Sequence, residues 1–165
     1  MKKFLLPLIL VSFFALGFSG CKDKDEVSSK GYPGIETVQR YINGDWEVTT
    51  WIESDGSRYD DSGVVYSIRS SVTGNDYDTF EGGYLSKGED GQFNSPVQYY
   101  LEPLLKGDID GSDSEKIVGV YIDIFYHGEY LITDISSSSM TLREWSISNG
   151  KIVLEEGMKF TKITE

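Results

Sequence analysis

The sequence contains few of the side chains from which metal sites and nucleophilic centres are usually built. Its 165 residues include one cysteine, Cys21, and one histidine, His127. A lone cysteine excludes a disulfide within the chain, and this pair cannot make a usual zinc ligand set. The sequence also has no Gly-x-x-x-x-Gly-Lys-Ser/Thr phosphate loop and no Gly-x-Ser-x-Gly nucleophile turn. We therefore expect no catalytic residues, no metal and no cofactor.

Two segments carry weaker signs of chemistry. The acidic run at 108–115 spaces oxygen ligands closely, as a calcium loop would, but its glycine falls at the fourth position and not the sixth. A charged, solvated hairpin loop is the simpler account. Residues 122–124 resemble the catalytic strand of laminarinase-type enzymes, but Tyr121 and Tyr126 stand where its two carboxylates would be needed. We predict that the protein is not an enzyme.

Basic residues are scarce relative to acidic ones. The chain has 15 Lys and Arg against 27 Asp and Glu. Residues 1–20 hold two lysines and no acid, so residues 21–165 carry a charge of 13 − 27 = −14. Such an acidic body disfavours nucleic acid as a partner, and it disfavours direct adhesion to anionic lipid.

The N-terminus has the layout of a lipoprotein signal. Two lysines precede an apolar run at 4–15, which is too short to span a bilayer. The segment Phe18-Ser19-Gly20-Cys21 resembles the lipobox of bacterial lipoproteins, although leucine usually stands in the place of Phe18. The resemblance implies cleavage before Cys21, lipidation of its thiol with acyl chains including palmitate, and attachment to the membrane through them.

The sequence predicts one folded domain behind this anchor. We predict a signal peptide at 1–20, a flexible acidic tether at 21–33 and a single domain at 34–165. The acid-rich start of the tether resembles the surface-export signal of Bacteroidetes lipoproteins. The implied location is the cell envelope, in the outer membrane, with cell-surface exposure and a periplasmic orientation both left open.

The pattern predicts an all-β domain that is preceded by one short helix. Ile35, Val38 and Ile42 recur at helical spacing, and from Asn43-Gly44 onward the apolar period becomes two. Residues 116–126 alternate most strongly, and Asn149-Gly150 is a hairpin signal. Prolines in 93–105 predict an edge strand or a loop there.

The Gly44-Asp45-Trp46 segment, placed after a short helix and before about eight strands, resembles the lipocalin family. The resemblance implies an up-and-down antiparallel barrel in which Trp46 plugs the closed end. It also implies a cation from the last strand across the indole, for which the candidates are Lys159 and Lys162, with Arg143 as the runner-up. A partial echo of the family's second motif occurs at 133–135.

An eight-stranded barrel can hold one small ligand. If Trp46 faces inward, strict alternation places Val48, Thr50 and Ile52 inward as well. The candidate ligand contacts are Thr50, Ile52, Tyr66, Tyr121, Phe125 and Trp145. We therefore expect a monomeric, membrane-anchored protein that binds a small apolar or amphipathic molecule. A surface module for glycans or proteins, and an inhibitor or immunity lipoprotein, are the alternatives.

Overall fold

The computed structural model describes residues 31–60, 63–71, 82–89 and 92–164. The predicted signal peptide, Cys21 and most of the predicted tether lie outside the described residues. No helix in the described ranges has the length and apolar character needed to cross a membrane.

Two short helices and ten strands make up the described chain. In chain order they are α1 (Ile35–Ile42), β1 (Gly44–Ile52), β2 (Arg58–Asp60), β3 (Val64–Ser70), β4 (Gly83–Glu89), β5 (Gln92–Phe93), β6 (Val97–Leu105), α2 (Lys106–Asp110), β7 (Ile117–Ile124), β8 (Gly128–Ile135), β9 (Ser139–Ser148) and β10 (Lys151–Lys162).

Eight of these strands form one antiparallel sheet that closes into a ring. The order is β1-β3-β4-β6-β7-β8-β9-β10, and β10 pairs back onto β1. The short strand β2 pairs with β1 beyond the end of β3, and the short strand β5 pairs with β4 beyond the end of β6. The predicted all-β antiparallel fold with one short N-terminal helix is confirmed; the second short helix, α2, occupies the start of the predicted acidic loop.

Helix α1 covers one end of the ring. The carbonyl of Gly34 accepts hydrogen bonds from the backbone N–H groups of Thr37 and Val38, each at 3.1 Å, which starts the helix. Val38 and Ile42 are fully buried and join the core of the ring. The apolar stripe read from the sequence is thus the face that α1 turns toward the strands.

Buried side chains from several strands form one core inside the ring. Its fully buried side chains include Trp46, Leu101, Ile122 and Met140, which come from four different strands. These residues alternate with outward-facing neighbours, as expected for a sheet with one face turned to the core.

A bulge in β1 overturns part of the predicted inward set. Val48 pairs with Phe160 and Thr50 pairs with Lys159, so Thr49 is an extra residue and the alternation shifts. Beyond the bulge Trp51 packs against the core, whereas Thr50 lies opposite the exposed Lys159. Ile52 is buried but does not belong to the core cluster. The prediction that Thr50 and Ile52 face the interior is wrong.

Strand β6 is an interior strand of the sheet, with β4 on one side and β7 on the other, and not the predicted edge strand or loop. It pairs with β7 along its length, but β4 reaches only from Val97 to Tyr99. Pro103 pairs with Val120 of β7 and lies beyond the last β4 partner, so its missing N–H costs no ladder bond on that side. An interior strand thus tolerates Pro103 because β6 is not paired with β4 at that position.

Candidate functional site

The end of the ring beneath α1 is closed around Trp46. Its indole is fully buried, and Nε1 donates a hydrogen bond to the carbonyl of Ile42 at 2.8 Å. The ammonium of Lys162 lies 4.9 Å from the centroid of the indole and donates to the carbonyl of Tyr41 at 3.1 Å. The lysine thus joins the last strand, the first strand and the helix.

The glycine of the motif makes room for this lysine. Gly44 has a φ of +146°, and a Cβ added there would overlap the Cε of Lys162. Of the residues expected at this closure, Gly44, Trp46 and Lys162 come together. Lys159 does not join them, because its side chain is exposed on the opposite face of β10. Arg143, the runner-up, is buried and donates two hydrogen bonds to the carbonyl of Glu155.

A hollow lies inside the ring toward the end away from α1. Its volume is about 160 Å³. The apolar part of its lining is Ile68, Leu85, Val97, Ile124, Leu142, Met158 and Phe160, and the polar part is Tyr66, Lys87, Asn94, Ser95, His127 and Tyr130. We call this cavity the hollow.

The aromatic side chains of the hollow are held in defined places. Tyr66 meets Phe160 edge to face at 5.4 Å between ring centroids, and its hydroxyl lies 3.9 Å from the Sδ of Met158. Tyr130 donates to the backbone carbonyl of His127 at 3.5 Å. Burial, followed by the charge of Glu144, raises the pKa of the Tyr130 hydroxyl, so this group stays protonated at neutral pH.

Size and chemistry limit what the hollow can hold. A cavity of about 150 Å³ lined by Leu, Ile and Phe accommodates a molecule the size of benzene. The hollow is similar in volume, and its apolar residues come from six strands around the ring. It is therefore suited to a single ring or a short chain with a polar group turned toward Lys87, Asn94 or His127.

Three of the predicted ligand contacts lie outside the ring, and those predictions are wrong. Ile122 and Ile124 face the core, so alternation turns Tyr121 outward, and Phe125 continues on that side with about half of its surface exposed. Trp145 packs on Tyr121 with 5.5 Å between ring centroids. The large aromatics cover the outer wall because the aliphatic residues of the same strands occupy the inside.

Of the predicted ligand contacts, Tyr66 alone lines the hollow. The sequence missed Lys87, Val97 and Met158. The available signal for Met158 was its alternation with Phe160, since both lie on the inner face of β10. No signal in the sequence set Lys87 apart from the other lysines.

The acidic segments make local contacts. Asp110 pairs with Lys106 and accepts a hydrogen bond from the backbone N–H of Ser112 at 3.1 Å. The Lys106 ammonium and the Ser112 hydroxyl and N–H lower the pKa of Asp110 to about 2. Over the described ranges, no group of three or more His, Cys, Asp or Glu side chains is placed to hold a metal ion.

Comparison with known proteins gave no relative: no family model, no curated protein and no solved structure matches this chain.

Proposed function

We propose that this chain is a lipid-anchored protein of the cell envelope that binds a small apolar or amphipathic molecule without chemistry, in the interior of a lipocalin-like β-barrel. The observation that carries the proposal is the hollow, a mainly apolar cavity inside a closed ring of strands. Antiparallel barrels of eight strands are known to leave space for one small ligand. The closure at Trp46 supports the lipocalin comparison, because it combines the helix, the Gly-x-Trp segment and a lysine of the last strand.

The hollow favours binding over simple packing. Protein interiors are close-packed, and empty space of this size costs stability unless something fills it. Fully buried side chains such as Trp46, Val38 and Ile42 fill the part of the ring beneath α1. The hollow therefore supports the proposal of binding, and its size restricts the ligand to about the volume of one aromatic ring.

Methyl NMR can test whether the hollow takes a ligand. The chain has three methionines, of which Met158 lines the hollow and Met140 is buried in the core outside it. In a chain labelled at the methionine ε-methyl groups, we expect toluene to shift the Met158 resonance and to leave Met140 nearly unchanged.

A matched pair of variants makes this test specific. Val97 lines the hollow, whereas the next residue, Gln98, is exposed on the outer face. Val97→Trp should fill the hollow and abolish the Met158 shift, and Gln98→Trp should retain it. A Met158 resonance that toluene does not move would refute binding in the hollow.

The anchor rests on Cys21 and needs its own test. Tyr32 packs against Gly119 on the outer wall of β7, so the segment before α1 runs along the outside of the ring. We expect Cys21→Ala to lose palmitate labelling and to keep its leader uncleaved, whereas Cys21→Ala with normal labelling and membrane retention would refute lipidation.

A surface module for glycans or proteins is the second candidate. Tyr126, at the turn between β7 and β8, has a φ of +66° and is 89% exposed, and its ring lies 4.0 Å from that of Phe125. An aromatic pair held in water by a strained turn is typical of a contact surface for sugars or partners. Glycan-array binding that is lost in Tyr126→Ala but kept in Val97→Trp would favour this candidate.

A further inference from the structure

Four aromatic side chains are exposed together on the outer wall of the ring. Tyr84 belongs to β4, Tyr100 belongs to β6, and Phe125 and Tyr126 directly follow β7. These residues are between 40% and 89% exposed. We call the four residues the aromatic strip.

The pairing of the strands makes the aromatic strip one continuous surface. Tyr84 pairs with Gln98 of β6, and the backbone N–H of Phe125 donates to the carbonyl of Gln98 at 3.0 Å, so these three residues lie in one row. Tyr100 follows Gln98 by two positions and shares its outward face. Diagonal neighbours on adjacent strands are within reach of aromatic side chains, and the ring of Tyr126 lies 4.0 Å from that of Phe125.

The size of the aromatic strip is that of a contact surface. Single exposed aromatic residues are ordinary, but the largest apolar patch of a monomer is about 300–600 Å² and is often functional. From the exposed fractions, the aromatic strip presents an area on the order of 500 Å². A patch of this area corresponds to the centre of a protein interface, which has a polar rim around it.

The polar rim of the aromatic strip is acidic. Strands β6, β7 and β8 contain no lysine or arginine, whereas Glu102, Asp123 and Glu129 lie on their outer face. Asp123 pairs with Tyr100 on one side and with Glu129 on the other. Burial, followed by the charges of Glu129, Glu102 and Asp123, raises the pKa of the Tyr121 hydroxyl, so these carboxylates act on one place.

A depression continues this surface beyond Tyr126. The two residues that follow Tyr126 line it together with Glu129, Glu144, Glu155, Tyr130 and Trp145, and its volume is about 430 Å³. An arginine guanidinium is planar, stacks on aromatic rings and forms paired hydrogen bonds with carboxylates. The depression therefore suits the end of an arginine side chain.

We propose that the aromatic strip and its acidic rim bind an arginine-rich segment of a partner protein. Guanidinium groups of the partner stack on the aromatic rings and pair with Asp123 and Glu129. Carboxylates accept hydrogen bonds and cannot donate them, so the partner must supply donors, and opposite charge also speeds the encounter. This inference rests on the second candidate function and specifies its partner. The aromatic strip shares no residue with the hollow, so ligand binding there is a separate question.

A pair of synthetic peptides tests the charge of the partner. One peptide alternates arginine with serine, and the other has citrulline, which is uncharged and nearly the same shape, in place of each arginine. The full chain in phosphatidylcholine nanodiscs, which carry no net charge, is titrated into each labelled peptide, and fluorescence anisotropy reports binding. We expect the arginine peptide to bind at least about tenfold more tightly, and its affinity to fall as salt is added.

Substitutions on the protein assign this binding to the aromatic strip. Phe125→Ser and Tyr126→Ser keep the net charge, and each should weaken binding about fivefold through loss of a stacking contact. Tyr59→Ser, at a half-exposed position on β2, should keep the parent affinity. Glu129→Gln should weaken binding, whereas Glu36→Gln makes the same change in net charge at an exposed position on α1 and should not.

The outcomes distinguish this partner from the other proposals. Equal affinity for the two peptides would overturn the inference, and so would equal losses in Glu129→Gln and Glu36→Gln, because binding would then reflect net charge alone. Binding of an uncharged hexasaccharide that Tyr126→Ser abolishes, with no binding of the arginine peptide, would overturn the protein partner and keep the second candidate as a glycan surface. The toluene shift at Met158 reports on the hollow independently of each of these results.

Discussion

Lys162→Met is the sharpest test of how the ring is closed beneath α1. Methionine keeps the length and apolar bulk of the lysine but removes the ammonium that lies 4.9 Å from the Trp46 centroid and donates to the Tyr41 carbonyl. A cation over an indole contributes about 0.5–2 kcal/mol. The hydrogen bond contributes about 1 kcal/mol more.

Desolvation opposes part of this gain. Burial is the main cause that lowers the pKa of Lys162, so the folded state pays to keep the group charged. We therefore expect the net loss in Lys162→Met to lie near the lower end of the summed range, at about 1.5 kcal/mol. For a chain of this size that corresponds to a fall in Tm of roughly 3–6 °C.

Urea unfolding followed by tryptophan fluorescence measures this loss, and Lys159→Met is the matched control. Lys159 lies three positions earlier on the same strand with its side chain exposed, so its replacement should change the free energy of unfolding by less than about 0.5 kcal/mol. Equal stability of Lys162→Met and the parent chain would refute the reasoning, and so would equal losses in the two lysine variants.

Three further perturbations test other parts of the fold. Gly83→Ala should destabilise the chain by roughly 2 kcal/mol or more, because its Cβ would overlap the Arg69 carbonyl across the β3–β4 pair. Gly34→Ala has open space around its Cβ and should cost less, at most about 1 kcal/mol in the same urea titration, because alanine is a poorer N-cap for α1 than glycine. Tyr99→Phe should make the chain more resistant to alkaline unfolding. In the parent chain burial raises the pKa of the Tyr99 hydroxyl above 10.0, so this proton is lost more easily from the unfolded state. The free energy of unfolding of the parent should therefore fall above about pH 10, by up to about 1.4 kcal/mol per pH unit. Thermal melts from pH 8 to 11.5 should therefore diverge between Tyr99→Phe and the parent, and parallel curves would contradict this. Arg143→Met should cost about 2–3 kcal/mol, since the guanidinium is buried and holds the Glu155 carbonyl at the β9–β10 bulge; an unchanged urea midpoint would show that the bulge needs no such support.

Local pattern in the sequence was enough to predict several of the elements. The alternation in β7 and the Asn149-Gly150 turn each depend on residues close in the chain, and the structure has a strand and a hairpin at these places. Asn149 and Gly150 both have positive φ, as a two-residue hairpin turn requires. The stripe of α1 was equally visible, because a helix repeats its buried face every few residues.

The site could not be predicted in the same way. The β1 bulge depends on how Val48 and Thr50 meet β10, more than a hundred positions later, and alternation within β1 carries no record of it. Lys87 lines the hollow because it pairs with Tyr66, and neither strand has a local pattern that predicts this pairing. Large aromatics were expected inside for their volume, but Tyr121 lies on the face that alternation with Ile122 already turns outward.

The pairing of the first strand with the last also decides how this protein must fold. Lys162 and the Tyr41 carbonyl that it binds are 121 positions apart, so the ring can close only after the whole chain is available. Folds dominated by such distant pairings form slowly, in milliseconds to seconds. Until closure, β1 and β10 are two open sheet edges that can pair with another chain. Removal of β10 should therefore leave one edge of β1 unpaired and should promote self-association of the sheet.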